Sequence, residues 1–349
     1  MRAAIFNGPR SISVGDRPDP VIVEPTDAIV RVVLGCVCGS DLWYFRGETP
    51  HAVGSIGHEF IGIVEEVGSA VTGVNTGQLV VAPFVYCDGT CPNCLVGMTA
   101  HCRSGGAFGN GTTTDGGQGQ FVRVPFAGTS LVTVPGVPSG HSIEILRSLL
   151  ALSDVMCTGH HAAVSARVEP GDTVAVVGDG AVGLSAVLAS RRLGATRIIA
   201  LSRNPSRQKL AKEFGATDIV IERGDDAIAA VLELTDGAGV DAALECVGTG
   251  QSMTTALGVS RPGATVGVVG APHGIEVSIE KNFWRGVGWQ GGVAPARAYI
   301  PELMRDVLDG VINPGLVFDF ETDLDGIQSA YEEMDERRAI KSLIRIGSL

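Results

Sequence analysis

Four cysteines lie within sixteen residues of this 349-residue chain, in the segment CDGTCPNCLVGMTAHC. They are half of the eight cysteines in the sequence, namely Cys87, Cys91, Cys94 and Cys102. Cysteines that pack in a core are scattered along a chain. Thiols clustered at short spacing are instead typical of a tetrahedral metal site, above all for zinc. This segment therefore predicts a metal-binding loop.

Composition and charge limit the possible partners. The chain has 26 basic and 38 acidic residues and a formal net charge of −12, which disfavours binding to nucleic acid or to an anionic membrane. No signal peptide is predicted, because MRAAIF is followed at once by Asn7, Gly8 and Pro9. No apolar run reaches the roughly 20 residues that span a bilayer. We expect a cytoplasmic protein, in which disulfides are rare and the clustered cysteines bind metal instead.

The arrangement of apolar segments predicts two domains. Residues 1–150 contain short Val- and Ile-rich runs separated by Gly, Pro and Asp, which is typical of β-structure. From Thr173 onward, apolar runs alternate with helical stretches, as in a doubly wound parallel α/β sheet. This regular pattern ends near residue 290. We expect a β-rich catalytic domain of residues 1–150 and 290–349, and a dinucleotide-binding Rossmann domain of residues 151–289.

A glycine-rich loop follows the first apolar run of the predicted Rossmann domain. It has the G-x-G-x-x-G pattern of a dinucleotide-binding motif and consists of Gly178, Asp179, Gly180, Ala181, Val182 and Gly183. In such a loop the first glycine makes the turn, the second admits the pyrophosphate, and the third lets the helix pack on the sheet. The helix N-terminus adds unpaired N–H groups and positive partial charge. We therefore expect a dinucleotide to bind here rather than an ordinary glycine turn.

The residues after the next apolar run predict which dinucleotide binds. An acidic residue about 20 positions after the loop would hydrogen-bond the ribose of NAD. Here that position is Ser202, followed by Arg203, and Arg207 lies one helical turn further on. A carboxylate would repel the 2′-phosphate of NADP, whereas serine and arginine can bind it. We expect NADP rather than NAD; the alternative is that both arginines are only solvated charges at a helix start.

A second set of possible metal ligands is dispersed along the chain. Cys38 lies in the motif Cys-Gly-Ser-Asp, His58 and Glu59 in Gly-His-Glu, and Asp154 in a later apolar region. In these motifs, in the cysteine cluster and in the glycine loop, which follow one another in the same order, the chain resembles the zinc-dependent medium-chain alcohol dehydrogenases. The resemblance covers nearly the whole length. It implies that the β-rich domain has a GroES-like fold.

The resemblance also implies a catalytic zinc bound by Cys38, His58 and Asp154, with Glu59 as a fourth, exchangeable ligand. Many relatives have cysteine at the position of Asp154, and the aspartate version resembles bacterial NADP-linked secondary-alcohol dehydrogenases. One thiolate, one imidazole and one carboxylate leave a zinc position open for substrate, as catalysis requires. Zinc lowers the pKa of an alcohol or polarises a ketone, and the hydride passes between substrate and nicotinamide.

Two further residues receive roles from the resemblance. Asp41 would orient His58 from behind, and Ser40 would hydrogen-bond the alcohol oxygen and take its proton. Trp43 stands where many relatives have a histidine that relays this proton. Trp43 cannot do so, and we expect it to line the substrate pocket instead, with His51 only a speculative substitute in the relay.

The cysteine cluster departs from the family spacing of x2, x2 and x7. The later intervals match, at Cys91, Cys94 and Cys102. Cys87 lies one residue too early, and Asp88 has the expected spacing. We prefer Cys87 as the fourth ligand of a second, structural zinc, because thiolate is the softer ligand and Gly89 can absorb an extra residue. Asp88 remains the alternative.

By resemblance, the backbone at Val269 and Gly270 would meet the nicotinamide carboxamide, and Trp289 would border the substrate pocket. The segment before Trp289 resembles a strand that pairs subunits in the family, so we expect a homodimer or homotetramer. The predicted enzyme is an alcohol dehydrogenase or carbonyl reductase with two zinc ions per chain, acting on a small secondary or aromatic alcohol or its carbonyl product.

Other functions remain open from the sequence. A polyol or sugar-alcohol dehydrogenase would use the same zinc machinery. A non-catalytic nucleotide-binding protein on the same fold should lack the catalytic ligands, which this chain retains. A zinc-free quinone reductase is disfavoured by the Gly-His-Glu motif and by the cysteine cluster.

Overall fold

The protein divides into two compact units in a computed structural model that describes residues 1–109 and 114–349. The first unit is Met1–Asp154 with Pro295–Leu349, and the second is Val155–Ala294. The sequence had suggested boundaries at 150/151 and 289/290, a few residues earlier. Near the first of these boundaries, Ser153 Oγ donates a hydrogen bond to the carbonyl of Phe60, 3.2 Å away, within the first unit.

Short strands dominate the N-terminal part of the first unit. Its strands are β1 (Arg2–Gly8), β2 (Ser11–Asp16), β3 (Ala28–Cys36), β4 (Gly54–Ser55), β5 (Phe60–Val67), β6 (Leu79–Ala82), β7 (Val85–Tyr86), β8 (Gly106–Ala107), β9 (Phe121–Val124) and β10 (Val132–Thr133). Its helices are α1 (Asp41–Arg46), α2 (Pro92–Leu95), α3 (Ala127–Ser130) and α4 (Ile143–Ala151).

Helices and strands alternate through the second unit. In chain order they are α5 (Val155–Ser165), β11 (Thr173–Val177), α6 (Ala181–Arg192), β12 (Arg197–Leu201), α7 (Pro205–Phe214), β13 (Asp218–Val220), α8 (Gly224–Leu234), β14 (Val240–Glu245), α9 (Gly250–Val259), β15 (Ser260–Val268), α10 (Ile279–Arg285) and β16 (Gly288–Gly291). The chain then returns to the first unit as α11 (Ala296–Leu308), β17 (Phe318–Asp323), α12 (Ile327–Asp335) and β18 (Lys341–Arg345).

The main sheet of the first unit has the order β10-β6-β5-β3-β18-β17, with β9 also paired to β3. Strand β3 is almost entirely buried, because its Val- and Ile-rich sequence suits a pleated surface that is covered. It runs antiparallel to β5 and β18, with Gly35 opposite Phe60 and Cys36 opposite Leu343. The carboxyl end of β3 therefore lies beside the amino ends of β5 and β18.

The second unit contains a six-stranded sheet of order β13-β12-β11-β14-β15-β16, and each neighbouring pair is parallel. Successive strands extend the sheet first to one side of β11 and then, from β14, to the other. This change of direction is typical of the doubly wound dinucleotide-binding fold, in which ligands bind at the carboxyl ends of the strands. The predicted fold class, a Rossmann sheet with a β-rich domain, is confirmed. Among the described residues, no helix is both long and apolar enough to cross a membrane.

Candidate active site

Four potential metal ligands converge in the first unit. One donor atom from each lies within 4.8 Å of the others, and the residues are Cys38, His58, Glu59 and Asp154. Cys38 follows β3, while His58 and Glu59 immediately precede β5, so the antiparallel pairing of these strands brings them together. Asp154 follows α4, next to the Ser153 side chain that is anchored to the start of β5.

The carboxylate of Asp154 lies at the centre of this set. Its Oδ2 is 3.6 Å from Cys38 Sγ and 3.4 Å from His58 Nε2. These contacts are longer than good hydrogen bonds, and they bring a thiol, an imidazole and a carboxylate around one point. All three are ligand types that zinc accepts, so the residues present fit a zinc ion.

Helix α1 begins directly behind the set. Asp41 is buried, accepts a 3.0 Å hydrogen bond from the Cys38 N–H, and lies 3.4 Å from His58 Nδ1. The carboxylate therefore approaches the ring nitrogen that faces away from Asp154. Ser40 precedes the helix, is half-buried, and its hydroxyl caps no backbone N–H of α1.

A buried lysine that the sequence reasoning missed completes this cluster. Lys341, on β18, is 1% exposed and donates hydrogen bonds to Glu59 Oε1 at 2.6 Å and to the carbonyl of Val37 at 3.1 Å. The other oxygen, Glu59 Oε2, is buried and accepts no hydrogen bond from any described residue. The sequence signal for this role was a lysine at the start of the short, mostly apolar strand β18.

The charges of this cluster depend on one another. Burial alone would lower the pKa of His58, but the carboxylate of Asp41 and the thiol of Cys38 outweigh it and raise that pKa well above its usual value. Burial raises the pKa of Glu59, and the ammonium of Lys341 partly offsets this effect. A bound cation would lower the repulsion between the carboxylates and the thiol of this cluster.

The second donor set includes Asp88 and not Cys87. Donor atoms within 4.8 Å of one another come from Asp88, Cys91, Cys94 and Cys102. Asp88 Oδ1 accepts the N–H groups of Cys91 at 2.9 Å and Thr90 at 2.8 Å, and these bonds lower the pKa of its carboxyl well below the usual range. This geometry favours the alternative, Asp88, while the choice between Cys87 and Asp88 stays a prediction.

Cys87 lies against helix α3, beside the donor set. Its N–H donates to Ser130 Oγ at 3.0 Å, and its thiol faces the carbonyl of Thr129 at 3.8 Å, on the side of helix α3. The thiol of Cys87 also interacts with Cys94, a member of the donor set. Gly89 then turns the chain at φ +69°, where a Cβ would lie 2.6 Å from the Thr129 side chain.

The glycine loop of the second unit has the geometry of a phosphate cradle. Gly178 adopts φ +123°, and a Cβ on Gly183 would lie 2.1 Å from the Gly178 carbonyl oxygen, so α6 packs directly on the turn. A Cβ on Gly180 would meet nothing within 4 Å. Ala181 and Val182 form the first turn of α6. Open space at Gly180, in front of a helix N-terminus, fits a dinucleotide pyrophosphate.

Two of the residues predicted to select the cofactor, Ser202 and Arg207, contact Asp179, the second residue of the loop. Ser202 Oγ donates to Asp179 Oδ2 at 2.9 Å, and Arg207 Nη1 donates to the Asp179 carbonyl at 3.0 Å. Arg207 is buried, whereas Arg203 is exposed. The sequence reasoning had treated Asp179 only as a spacer between two glycines.

The remaining predicted site residues are distributed over both units. Val269 and Gly270 follow β15, and their N–H groups both donate to the carbonyl of Glu245 at 3.0 Å. Trp43 is half-buried on α1, three residues after Ser40, whereas Trp289 lies on β16 of the second unit and is 46% exposed. The ring nitrogens of His51 approach the carbonyls of Ala52 and Gly109 at 2.7 and 2.8 Å. The roles predicted for these residues stay predictions.

Comparison with known proteins assigns the chain to a family. Residues 24–136 match the alcohol dehydrogenase GroES-like domain, and residues 181–308 match the zinc-binding dehydrogenase domain. An alcohol dehydrogenase from Cupriavidus necator is 33% identical, over 97% of this chain and 96% of the relative. The chain therefore belongs to the zinc-dependent medium-chain alcohol dehydrogenase family, as its motifs predicted.

Solved structures agree with this assignment. The alcohol dehydrogenase from Thermus sp. ATN1 is 31% identical, with a TM-score of 0.92 over 99% of this chain and 100% of its own. A putative zinc-binding dehydrogenase from Sinorhizobium meliloti, solved with NADP bound, is 25% identical, with a TM-score of 0.82 over 99% of this chain and 98% of its own.

Proposed function

We propose that this protein is a zinc-dependent alcohol dehydrogenase or carbonyl reductase that transfers a hydride between an alcohol, secondary or aromatic, and a nicotinamide dinucleotide. The observation that carries the proposal is the convergence of Cys38, His58, Glu59 and Asp154 within 4.8 Å of one another, with Asp41 beside the far nitrogen of His58. Zinc bound there would act as a Lewis acid that lowers the pKa of an alcohol or polarises a carbonyl.

The side chains around the metal site would then divide the remaining work. Cys38, His58 and Asp154 would hold the ion, and Glu59 would be an exchangeable ligand through its unpartnered Oε2. Asp41 would keep the ring of His58 in one orientation and tautomer. Ser40 Oγ, which makes no capping bond, would hydrogen-bond the alcohol oxygen and receive its proton.

We propose a second, structural zinc held by Asp88, Cys91, Cys94 and Cys102. Four protein donors would leave no position on the zinc for a substrate, which is the usual difference between structural and catalytic zinc. The low pKa of the Asp88 carboxyl supports its role, because the ligand is then anionic at every working pH.

For the cofactor we propose NADP, bound at the glycine loop with its adenine ribose near Ser202 and Arg203. The absence of an acid at position 202 and the exposed guanidinium of Arg203 support this choice. The ratio of kcat/KM with NADP to kcat/KM with NAD tests it. A higher value with NAD would overturn the preference while leaving the dehydrogenase proposal intact.

We also propose that the protein is a homodimer or homotetramer assembled through β16. This strand ends the parallel sheet and pairs on one side with β15. Next to it, α10 exposes Phe283 and Trp284, each more than 70% accessible. Exposed aromatic residues beside an open strand edge are typical of a covered interface.

The decisive experiment compares Cys38→Ser with the control Cys157→Ala, a buried cysteine on α5 that belongs to neither donor set. We expect the wild type to contain two zinc ions per chain and to oxidise simple secondary alcohols. Cys38→Ser should lose one zinc and at least about 99% of kcat, because removing a ligand removes Lewis-acid catalysis. Cys157→Ala should keep both zinc ions and its activity.

Two results would contradict the proposed activity. One is substantial turnover by Cys38→Ser in a folded protein that has lost the zinc. The other is a wild type that acts on long polyols and not on simple alcohols, which would identify a polyol dehydrogenase instead.

A further inference from the structure

The carboxylate of Asp179, which follows β11, lies beside the position after β12 where dinucleotide-binding folds usually have an acidic residue. Strands β11 and β12 are parallel neighbours, with Val177 opposite Leu201, so the residues that follow them emerge at the same edge of the sheet. The acid that recognises a ribose usually follows the second of these strands. In this chain Ser202 occupies that position, and its Oγ donates to Asp179 Oδ2 at 2.9 Å. A carboxylate is therefore present, although it comes from the glycine loop.

The same carboxylate opposes Arg207. The guanidinium Nη1 lies 3.6 Å from Asp179 Oδ1, which is ion-pair distance, and donates to the Asp179 carbonyl at 3.0 Å. Both side chains are largely buried, with 5% of Arg207 and 14% of Asp179 accessible. Interactions between charges are stronger in such a partly dehydrated site than at an exposed surface. A phosphate that approached Arg207 would compete with Asp179 and be repelled by it.

We propose that Asp179 is a specificity-determining residue of the nucleotide site, which restrains the preference for a 2′-phosphate and allows the 2′-hydroxyl of NAD to bind. Its carboxylate accepts a hydrogen bond from a ribose hydroxyl and offsets the positive charge of Arg207. Ser202 holds the carboxylate in place through its hydroxyl. The proposal rests on the proposed binding of a nicotinamide dinucleotide at this loop, and it holds whichever of the two cofactors the wild type prefers.

The test measures binding of two fragments that carry no nicotinamide, ADP-ribose and 2′-phospho-ADP-ribose, by titration calorimetry. Asp179→Asn keeps the shape of the side chain and removes its charge. We expect 2′-phospho-ADP-ribose to bind about tenfold more tightly to this variant, because one repulsive charge near the phosphate is gone. ADP-ribose should bind severalfold more weakly, because a hydrogen bond to a charged acceptor is replaced by a neutral one.

The matched control is Glu213→Gln, which removes one negative charge from the far end of α7. Glu213 lies six residues after Arg207, about 9 Å along the helix axis, and is exposed. It should change the ratio of the two dissociation constants by less than about twofold, because solvent screens an exposed charge at this distance.

A thermal measurement covers the case in which Asp179→Asn is less stable, since the substitution removes a negative charge that lies 3.6 Å from Arg207. The shift in Tm that saturating 2′-phospho-ADP-ribose produces should be larger for the variant than for the wild type, because the phosphate replaces the missing anion. Asp179→Ser, with a smaller neutral side chain, should behave in the same direction.

The outcomes separate the two proposals. If the wild type binds both fragments and their ratio does not change in either Asp179 variant, the specificity role is overturned and the dinucleotide site stands. If the wild type binds neither fragment, both proposals fail. A change in the opposite direction, towards tighter ADP-ribose binding, also overturns the role of Asp179.

Discussion

Two neighbouring residues, Cys87 and Asp88, are the candidates for the fourth ligand of the proposed structural zinc. Both have donor atoms, and softness alone favours the thiol. The backbone N–H of Cys87 is held by Ser130, so its thiol faces Thr129 while Asp88 faces the other donors. This geometry is the basis for proposing Asp88 as the fourth ligand.

Substitution of these two residues should affect zinc content differently. Asp88→Ala removes a donor from the cluster, and we expect the purified variant to retain about one zinc per chain and to lose thermal stability, because structural zinc contributes directly to folding. Cys87→Ser should retain two. Elemental analysis after dialysis measures both, and the reverse pattern would restore Cys87 as the ligand.

Glu59, a member of the catalytic donor set, forms a buried ion pair with Lys341. The side chains of Lys341 and Glu59 are 1% and 0% exposed. Lys341→Met should destabilise the protein by about 3–5 kcal/mol, because it leaves a buried carboxylate without its counter-charge. Chemical denaturation of the zinc-free protein measures the effect. The double variant Lys341→Met with Glu59→Gln should recover part of the loss.

The control for this pair is Lys212→Met, an exposed lysine on α7, which should change the free energy of unfolding by less than about 0.5 kcal/mol. If Lys341→Met is as stable as this control, the pair is not a significant source of stability.

At the scale of elements, the turn between β11 and α6 separates the requirements of folding from those of binding. Gly183 is required by packing, since a Cβ there would lie 2.1 Å from the Gly178 carbonyl oxygen. Gly180 has an ordinary backbone conformation, with φ −78°, and open space in front of it. Gly183 is thus required by the fold, and Gly180 leaves room for a ligand.

Two alanine substitutions should separate these requirements. We expect Gly183→Ala to lower the free energy of unfolding by about 1–3 kcal/mol, as overpacking does. Gly180→Ala should leave stability nearly unchanged and weaken ADP-ribose binding at least tenfold, because the methyl group occupies the space of the pyrophosphate. Thermal unfolding and titration calorimetry give the two values, and equal effects of both variants on stability would refute the distinction.

At the scale of the whole molecule, strand β16 ends the parallel sheet, and helix α10 next to it exposes Phe283 and Trp284. A second copy of the chain, related by a two-fold axis, would cover identical patches on both subunits. The two β16 strands would then pair antiparallel and join the two sheets, which removes the open strand edge.

Sedimentation velocity tests this assembly. We expect the wild type to sediment as a dimer or tetramer, and Phe283→Asp with Trp284→Asp to shift it towards monomer, because two buried charges would oppose association. Val21→Asp, an equally exposed apolar residue of the first unit, should not change the assembly state. A wild type that is monomeric at tens of micromolar would contradict the proposed interface.

Much of the fold was predictable from local sequence. The strands Phe60–Val67, Thr173–Val177 and Arg197–Leu201 are each short and rich in apolar residues, which is the local pattern that predicts a strand. The glycine loop was also found, since its function depends on residues close together in sequence. The role of Asp179 within this loop was missed, because its contact with Ser202 forms only when β11 and β12 lie side by side.

By itself, the sequence determined the alternation of strands and helices, the nucleotide loop, the cysteine cluster and, through its motifs, the family. These features depend on local spacing and on the identities of nearby residues. Only the tertiary structure grouped Asp88 with Cys91, Cys94 and Cys102, placed Lys341 against Glu59, and placed Asp179 opposite Arg207. Each of these depends on side-chain direction or on contacts between segments far apart along the chain, and a linear pattern of residues contains neither.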